Sequence, residues 1–210
     1  MEKRVKKILE LFDEYYGDKD KCYLNYSNAH ELLIATILSA QCTDDRVNIV
    51  TKELFKRYVT VDDFAEAQPQ ELESYIRSAG FYRNKAKNII GACRELSEKY
   101  SGVVPRDIEK LTALPGVGRK TANVVRTHIF NIPSIVVDTH VKRISQRLGL
   151  TKSEDPVKIE FELMDIFPKE HWGRYNTQAI AHGRAICKAR GPKCEECMFS
   201  ELCPYFLNSL

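Results

Sequence analysis

From Leu111 the chain reads Leu111-Thr112-Ala113-Leu114-Pro115-Gly116-Val117-Gly118-Arg119-Lys120-Thr121-Ala122. A helical pattern stops at Pro-Gly-x-Gly and resumes at Arg119, so two helices meet through one tight turn. Two glycines there permit positive φ and remove the Cβ atoms that would keep another backbone away. The N–H groups of the turn and of the second helix's start then face outward as an anion site that suits a phosphate. Such a hairpin, with Gly116, Val117, Gly118 and Arg119 as its contact residues, would grip a nucleic-acid backbone without reading a base edge. The same four residues also suit a plain helix–helix connection, and the turn alone does not choose between the two.

Working outward, the dominant period is helical. Val5, Ile8, Leu9, Leu11, Phe12 and Tyr15 follow the i, i+3, i+4 spacing of an amphipathic helix. Asn28-Ala29-His30-Glu31 has the form of a capping box, and the segment it opens, Leu32 to Leu38, is apolar nearly all round, as expected of a central helix. Asp44 or Asp45 is placed to cap a third helix, and Pro69 to open a fourth that Gly80 ends. Further helices are predicted over Lys85 to Tyr100, Asp107 to Leu114, Arg119 to Phe130, Val141 to Leu148, Ser153 to Phe167 and Lys169 to Cys187. The one β-branched run, Ile132 to Val137, is too isolated to make a sheet and reads as an extended connection. The expected class is all-α. A weak internal echo links Gly80-Phe81-Tyr82-Arg83-Asn84-Lys85-Ala86 with the segment from Gly116 to Ala122.

With 210 residues, 43% hydrophobic and 29% charged, the chain has the composition of an ordinary globular protein of one large or two small domains. The longest apolar segment, Leu32 to Ala40, falls far short of the ~20 residues that span a bilayer. Nothing after the N-terminus resembles a signal peptide, and an odd cysteine count fits poorly with a secreted disulfide framework, so an intracellular location is expected. The formal charge of +3 decides nothing until it is divided by position. From Arg119 to Arg147 six cations (Arg119, Lys120, Arg126, Lys142, Arg143, Arg147) face Asp138 alone, a formal +5 beside the hairpin. A basic stretch next to an anion-binding turn argues for nucleic acid more strongly than either feature alone.

Four of the seven cysteines, Cys187, Cys194, Cys197 and Cys203, lie in the last 24 residues with spacing C-x6-C-x2-C-x5-C. Four thiolates so placed point to a metal site rather than two disulfides, and by themselves they suit tetrahedral zinc and an iron–sulfur cluster equally. Arg184, Lys188, Arg190 and Lys193 surround the first two, with no acid between His182 and Cys194. A rigid loop here would present those cations to a phosphate backbone.

The hairpin from Leu114 to Lys120, then Val137-Asp138-Thr139-His140, then the four-cysteine tail, closely resemble in that order the endonuclease III family of the helix-hairpin-helix superfamily. The resemblance extends over nearly the whole chain, including Leu32-Leu33-Ile34-Ala35 and Ser39-Ala40-Gln41. It implies a two-lobed glycosylase fold, with residues 25–132 as a six-helix barrel carrying the hairpin. Residues 1–24 and 133–210 would form a discontinuous helical domain with a [4Fe-4S] cluster on the four cysteines. DNA would cross between the lobes. The implied activity is removal of oxidised pyrimidines from duplex DNA with β-elimination 3′ to the abasic site, by a monomer without a membrane. Lys120 would be the nucleophile and Asp138 the carboxylate acting with it.

The chemistry is consistent with that assignment. Breaking an N-glycosidic bond builds positive charge on the sugar, where a carboxylate is useful. A primary amine forms a Schiff base and so accounts for both base release and strand cleavage, whereas an activated water only hydrolyses the base. Lys120 falls in the first turn of a helix, whose positive end, with Arg119, favours the neutral amine that a nucleophile requires. By resemblance Gln41 fills the hole left by the extruded base, and Phe81 occupies the position where the family usually carries a leucine wedge. Phenylalanine still stacks on an unpaired base; its other reading is core packing. Ser39, Asp44 and His140 are weaker candidates for the base pocket. Two rivals remain: a monofunctional mismatch glycosylase of the same superfamily, which usually lacks the lysine, and a non-catalytic DNA-binding module with structural zinc.

Overall fold

The computed structural model describes residues 2–17 and 22–209. The stretch 18–21, expected in the first part of the discontinuous domain, lies outside them. The elements are α1 (Lys3–Tyr16), α2 (Ala29–Leu38), α3 (Asp44–Arg57), α4 (Val61–Ala65), α5 (Pro69–Ile76), α6 (Tyr82–Tyr100), α7 (Ile108–Thr112), α8 (Arg119–Phe130), α9 (Thr139–Arg147), α10 (Pro156–Ile166), α11 (Trp172–Ala185) and α12 (Pro204–Leu207), with three short 3-10 turns. Among the described residues there is no β-strand, and none of the helices is long and apolar enough to cross a membrane. The all-α expectation holds, and Ile132 to Val137 is an extended connection. The chain divides into two compact units, Cys22–Ile132 and Met1–Lys21 with Pro133–Leu210.

The Cys22–Ile132 unit is built on α2. Every residue from Leu32 to Leu38 is buried, and α3, α6 and α8 pack on it. Full burial of side chains such as Leu33 and Ile34 contributes about 1.5–3 kcal/mol each. Asn28 caps the helix by accepting from the Glu31 N–H at 3.0 Å, but the Glu31 carboxylate takes the Ser27 N–H at 2.6 Å, one residue before the expected partner. Helix α6 sets the hairpin in place. A Cβ on Gly91 would lie 3.2 Å from the Pro115 ring, and one on Gly116 only 2.7 Å from the Asn88 side chain. The two glycines let the turn sit directly on that helix.

The second unit packs α1 (Val5, Ile8, Leu9, Phe12) with α11 (Trp172, Tyr175, Ala179), and α9 also lies against α11. Two of its buried polar groups are paired across helices or turns: the hydroxyls of Ser145 and Tyr175 share a 2.9 Å hydrogen bond, and Trp172 Nε1 donates to Phe167 O at 3.0 Å. Where α9 meets α11, a Cβ on Gly183 would stand 2.3 Å from His140 Nδ1.

Several boundaries differ from expectation. Helix α6 starts at Tyr82 rather than Lys85, and α9 at Thr139 rather than Val141, because Asp138 caps it. Helix α10 starts at Pro156, capped by Asp155, and Lys169 to Cys187 is a 3-10 turn followed by α11. Helix α4, five residues with a full Thr60–Asp63 capping box, lacks the length to show a periodic pattern.

Candidate functional site

Gly116 has φ +75°, a conformation that L residues rarely adopt, and it turns the chain into α8. Gly118 is the N-cap of α8 and, as glycine, supplies no side-chain acceptor to the first turn. The helix start is therefore left uncapped by any side chain and carries the positive end of the dipole outward. Arg119 and Lys120 are its first two residues, and Lys120 is exposed. Val117 corrects the expectation for the hairpin: its side chain is 5% exposed and its N–H donates to Leu114 O at 3.1 Å. It anchors the turn to the core, and neither group faces outward.

Asp138 caps α9, where Oδ1 accepts from the N–H groups of His140 and Val141, both at 2.8 Å. One carboxylate oxygen thus serves the helix, and Oδ2 has no hydrogen-bond partner among the described residues. The cap fixes the carboxylate's direction. His140 lies half-buried against α11, with Nδ1 3.2 Å from Arg143 Nη2, a placement that packs its ring within the Pro133–Leu210 part of the chain.

Gln41 and Phe81 are both exposed and both in left-handed backbone, φ 54° and 48°. Phe81 is 66% exposed, which removes the core-packing reading. Ser39 ends α2 half-buried, its hydroxyl donating to Thr36 O at 2.8 Å, and Asp44 opens α3, with Thr43 rather than Asp44 acting as its cap. Sequence reading missed Lys85. It lies on the buried stripe of α6 with Ala86, Ile89, Cys93 and Leu96, is 4% exposed, and donates to Leu38 O (2.8 Å) and Ala79 O (2.9 Å). A lysine in phase with an apolar stripe was the available signal.

Cys187, Cys194, Cys197 and Cys203 border one pocket. Among the described residues no three His, Cys, Asp or Glu side chains converge on a point as ligands of a single metal ion. Four thiols around one pocket suit either a tetrahedral zinc or an iron–sulfur cluster. Burial raises the Cys197 thiol to about 11, and burial with the neighbouring thiols raises Cys194. Arg147 Nη1 donates to Cys187 Sγ at 3.3 Å, and His182, pushed down to about 4 by burial and by Arg143, has Nε2 3.6 Å from Cys197 Sγ.

The basic stretch is more divided than its +5 implied. Lys142 pairs with Glu154, Arg143 donates to the carbonyls of Gly183 and Cys187, and Arg147 donates to those of Lys188 and Ala189. These three cations brace the second unit. Arg184, Lys188, Arg190 and Lys193 are all exposed, and Lys193 also pairs with Glu196 at 3.2 Å.

Residues 34–169 match the family model described as HhH-GPD superfamily base excision DNA repair protein. The chain is 52% identical over 202 residues to endonuclease III of Synechocystis sp., covering 96% of this chain and 92% of that protein. With endonuclease III of Bacillus subtilis the identity is 49% over 184 residues, covering 87% and 84%. A solved structure described as a trapped endonuclease III–DNA covalent intermediate superposes with a TM-score of 0.92 at 45% identity, over 100% of this chain and 99% of that one.

Proposed function

The chain belongs to the endonuclease III family, within the HhH-GPD superfamily of base excision DNA repair proteins, and from this we propose how its own residues carry out the reaction. It is a DNA glycosylase and abasic-site lyase that acts on damaged duplex DNA. The finer assignment is ours: its substrates are oxidised pyrimidines, and Lys120 is the nucleophile.

One observation carries this reading. Lys120 is an exposed primary amine at the second position of a helix whose start no side chain caps, directly after a turn built to receive a phosphate. Held by that phosphate contact, Nζ attacks the sugar C1′. The C1′–N bond to the base breaks as the new bond forms, and the base departs with the bonding electrons and takes up a proton. Loss of a proton from nitrogen and opening of the ring give the Schiff base. The C2′ hydrogen then becomes acidic, and its removal expels the 3′ phosphate and breaks the C3′–O bond. Hydrolysis of the imine returns Lys120.

Asp138 supplies a negative charge where the sugar becomes positive, or accepts the proton from the amine; its capped geometry leaves Oδ2 for that work. Gln41 and Phe81 are the side chains that enter the duplex in place of the extruded nucleotide. Gly116, Gly118, Arg119, Arg184, Lys188, Arg190 and Lys193 contact the backbone.

The four cysteines hold a [4Fe-4S] cluster in this reading, supported by their shared pocket and by the chain's membership of the endonuclease III family. Its contribution is to fix the loop between Cys187 and Cys194. Incubation with a thymine-glycol duplex tests the function: free base together with a strand cut 3′ to the lesion supports it, and base release with an intact abasic strand overturns the lyase half.

A further inference from the structure

We propose that Lys85 is a positioning residue, holding the turn that bears Gln41 and the turn that bears Phe81 at one fixed spacing so that both side chains enter the duplex together.

Leu38, the first acceptor of the Lys85 ammonium, is the last residue of α2, and Ser39-Ala40-Gln41 follow it directly. Ala79, the second acceptor, ends the 3-10 turn Arg77–Ala79, and Gly80-Phe81 follow it. One charged group thus ties together the final carbonyls of two helical segments, at 2.8 and 2.9 Å, within a single compact unit. A cation suits both places, because carbonyls at helix C-termini carry partial negative charge.

The fold alone does not explain the choice of lysine. Lys85 is 4% exposed on the apolar stripe of α6, and no carboxylate is among its hydrogen-bond partners. Burial lowers its ammonium from the ordinary lysine value, which is the electrostatic penalty of placing a charge there. An apolar side chain of similar length would avoid that penalty. The segments it joins each end in a non-glycine residue with positive φ whose side chain stands in solvent. Strained backbone that displays an exposed side chain is typical of functional positions, and a buried tether beneath both turns keeps that display in register.

The inference rests on the assignment of Gln41 and Phe81 as the inserting side chains, so Gln41→Ala and Phe81→Ala are measured beside Lys85→Met. Two substrates separate the roles: a thymine-glycol duplex, which requires extrusion, and a single-stranded abasic oligonucleotide, which does not. Displacing a positioned group by about 1 Å costs on the order of 100-fold. Lys85→Met is therefore expected to lower kcat/KM on the duplex by roughly 10- to 100-fold and to leave borohydride trapping on the single strand within about twofold. Lys85→Gln, a neutral amide too short to join both carbonyls, is expected to fall between, and it carries the same comparison should the methionine variant not fold. In a Gln41→Ala/Phe81→Ala background, removing Lys85 should cost less than about twofold more. Unchanged duplex activity, equal losses on both substrates, or an undiminished loss in that background each overturns the proposal. If the two alanine variants process the duplex normally, it is the insertion assignment that fails.

Discussion

The two glycines of the hairpin are expected to separate into one that the fold requires and one that only a ligand requires. At Gly116 a methyl group would lie 2.7 Å from Asn88 Cβ, and φ is +75°. The left-handed backbone costs about 1–2 kcal/mol and the overpacking about 1–3 more, so Gly116→Ala should destabilise by roughly 2–5 kcal/mol. With unfolding entropy near 2.1 cal/mol/K per residue, that is a fall in Tm of about 5–11 °C. At Gly118, by contrast, φ is −85° and an added Cβ meets nothing within 4 Å. Replacing an N-cap glycine with alanine there should cost no more than about 1 kcal/mol. If Gly118 is glycine so that a phosphate can approach the amides of α8, the alanine variant loses one or more charge-assisted hydrogen bonds. At about 1.5–3 kcal/mol each, one such bond weakens binding roughly 10- to 150-fold. Calorimetric Tm and fluorescence anisotropy on a duplex with an abasic analogue, at fixed salt, give both numbers. A Gly118→Ala protein that binds as tightly as the parent refutes the argument that the hairpin grips the backbone.

Other outcomes follow from particular contacts. Asp138→Asn keeps an Oδ1 acceptor for the His140 and Val141 amides and should unfold like the parent, yet lose about 10²–10³ in kcat. Asp138→Ala should in addition lose about 1 kcal/mol of stability with the cap, and equal Tm values for the two variants would contradict the cap geometry. Arg147→Met removes the donor to Cys187 Sγ and to two loop carbonyls, so visible absorption should bleach about 10–100 times faster under a chelator; an unchanged rate would show that the loop holds without it. His171 is lowered by burial and by Arg174, so the folded state resists protonation that the unfolded state accepts. Its stabilising effect is present above the ordinary histidine value near 6.5 and is lost as pH falls below it. His171→Gln should flatten the decline in Tm between pH 6.5 and 5. Neutralising about six phosphates gives a slope near −5 in log affinity against log salt, and a flat dependence would remove the electrostatic grip.

What the sequence revealed is what local rules govern. The Pro115-Gly116-Val117-Gly118 turn, the apolar Leu32 to Leu38 helix and the cysteine spacing each carry their meaning within a few residues. What it hid depends on tertiary neighbours. Charge counting could not separate Arg143 and Arg147, which turn inward to loop carbonyls, from Lys188 and Arg190, which stay exposed. Val117 sits between two glycines of an outward turn, but its buried side chain shows only once the turn is packed on the core. Lys85 is a cation in sequence and a buried strut in the fold, because its partners are carbonyls 47 and 6 residues away. Asp138 caps α9 through Oδ1 alone, a division between its two oxygens that the sequence does not show.

The most direct test of the account is borohydride reduction during turnover of a thymine-glycol duplex, followed by mass mapping of the adduct. A single covalent link at Lys120, absent in Lys120→Ala and restored by no other lysine, is the expected result. Base release with no adduct, or an adduct at another amine, would contradict it.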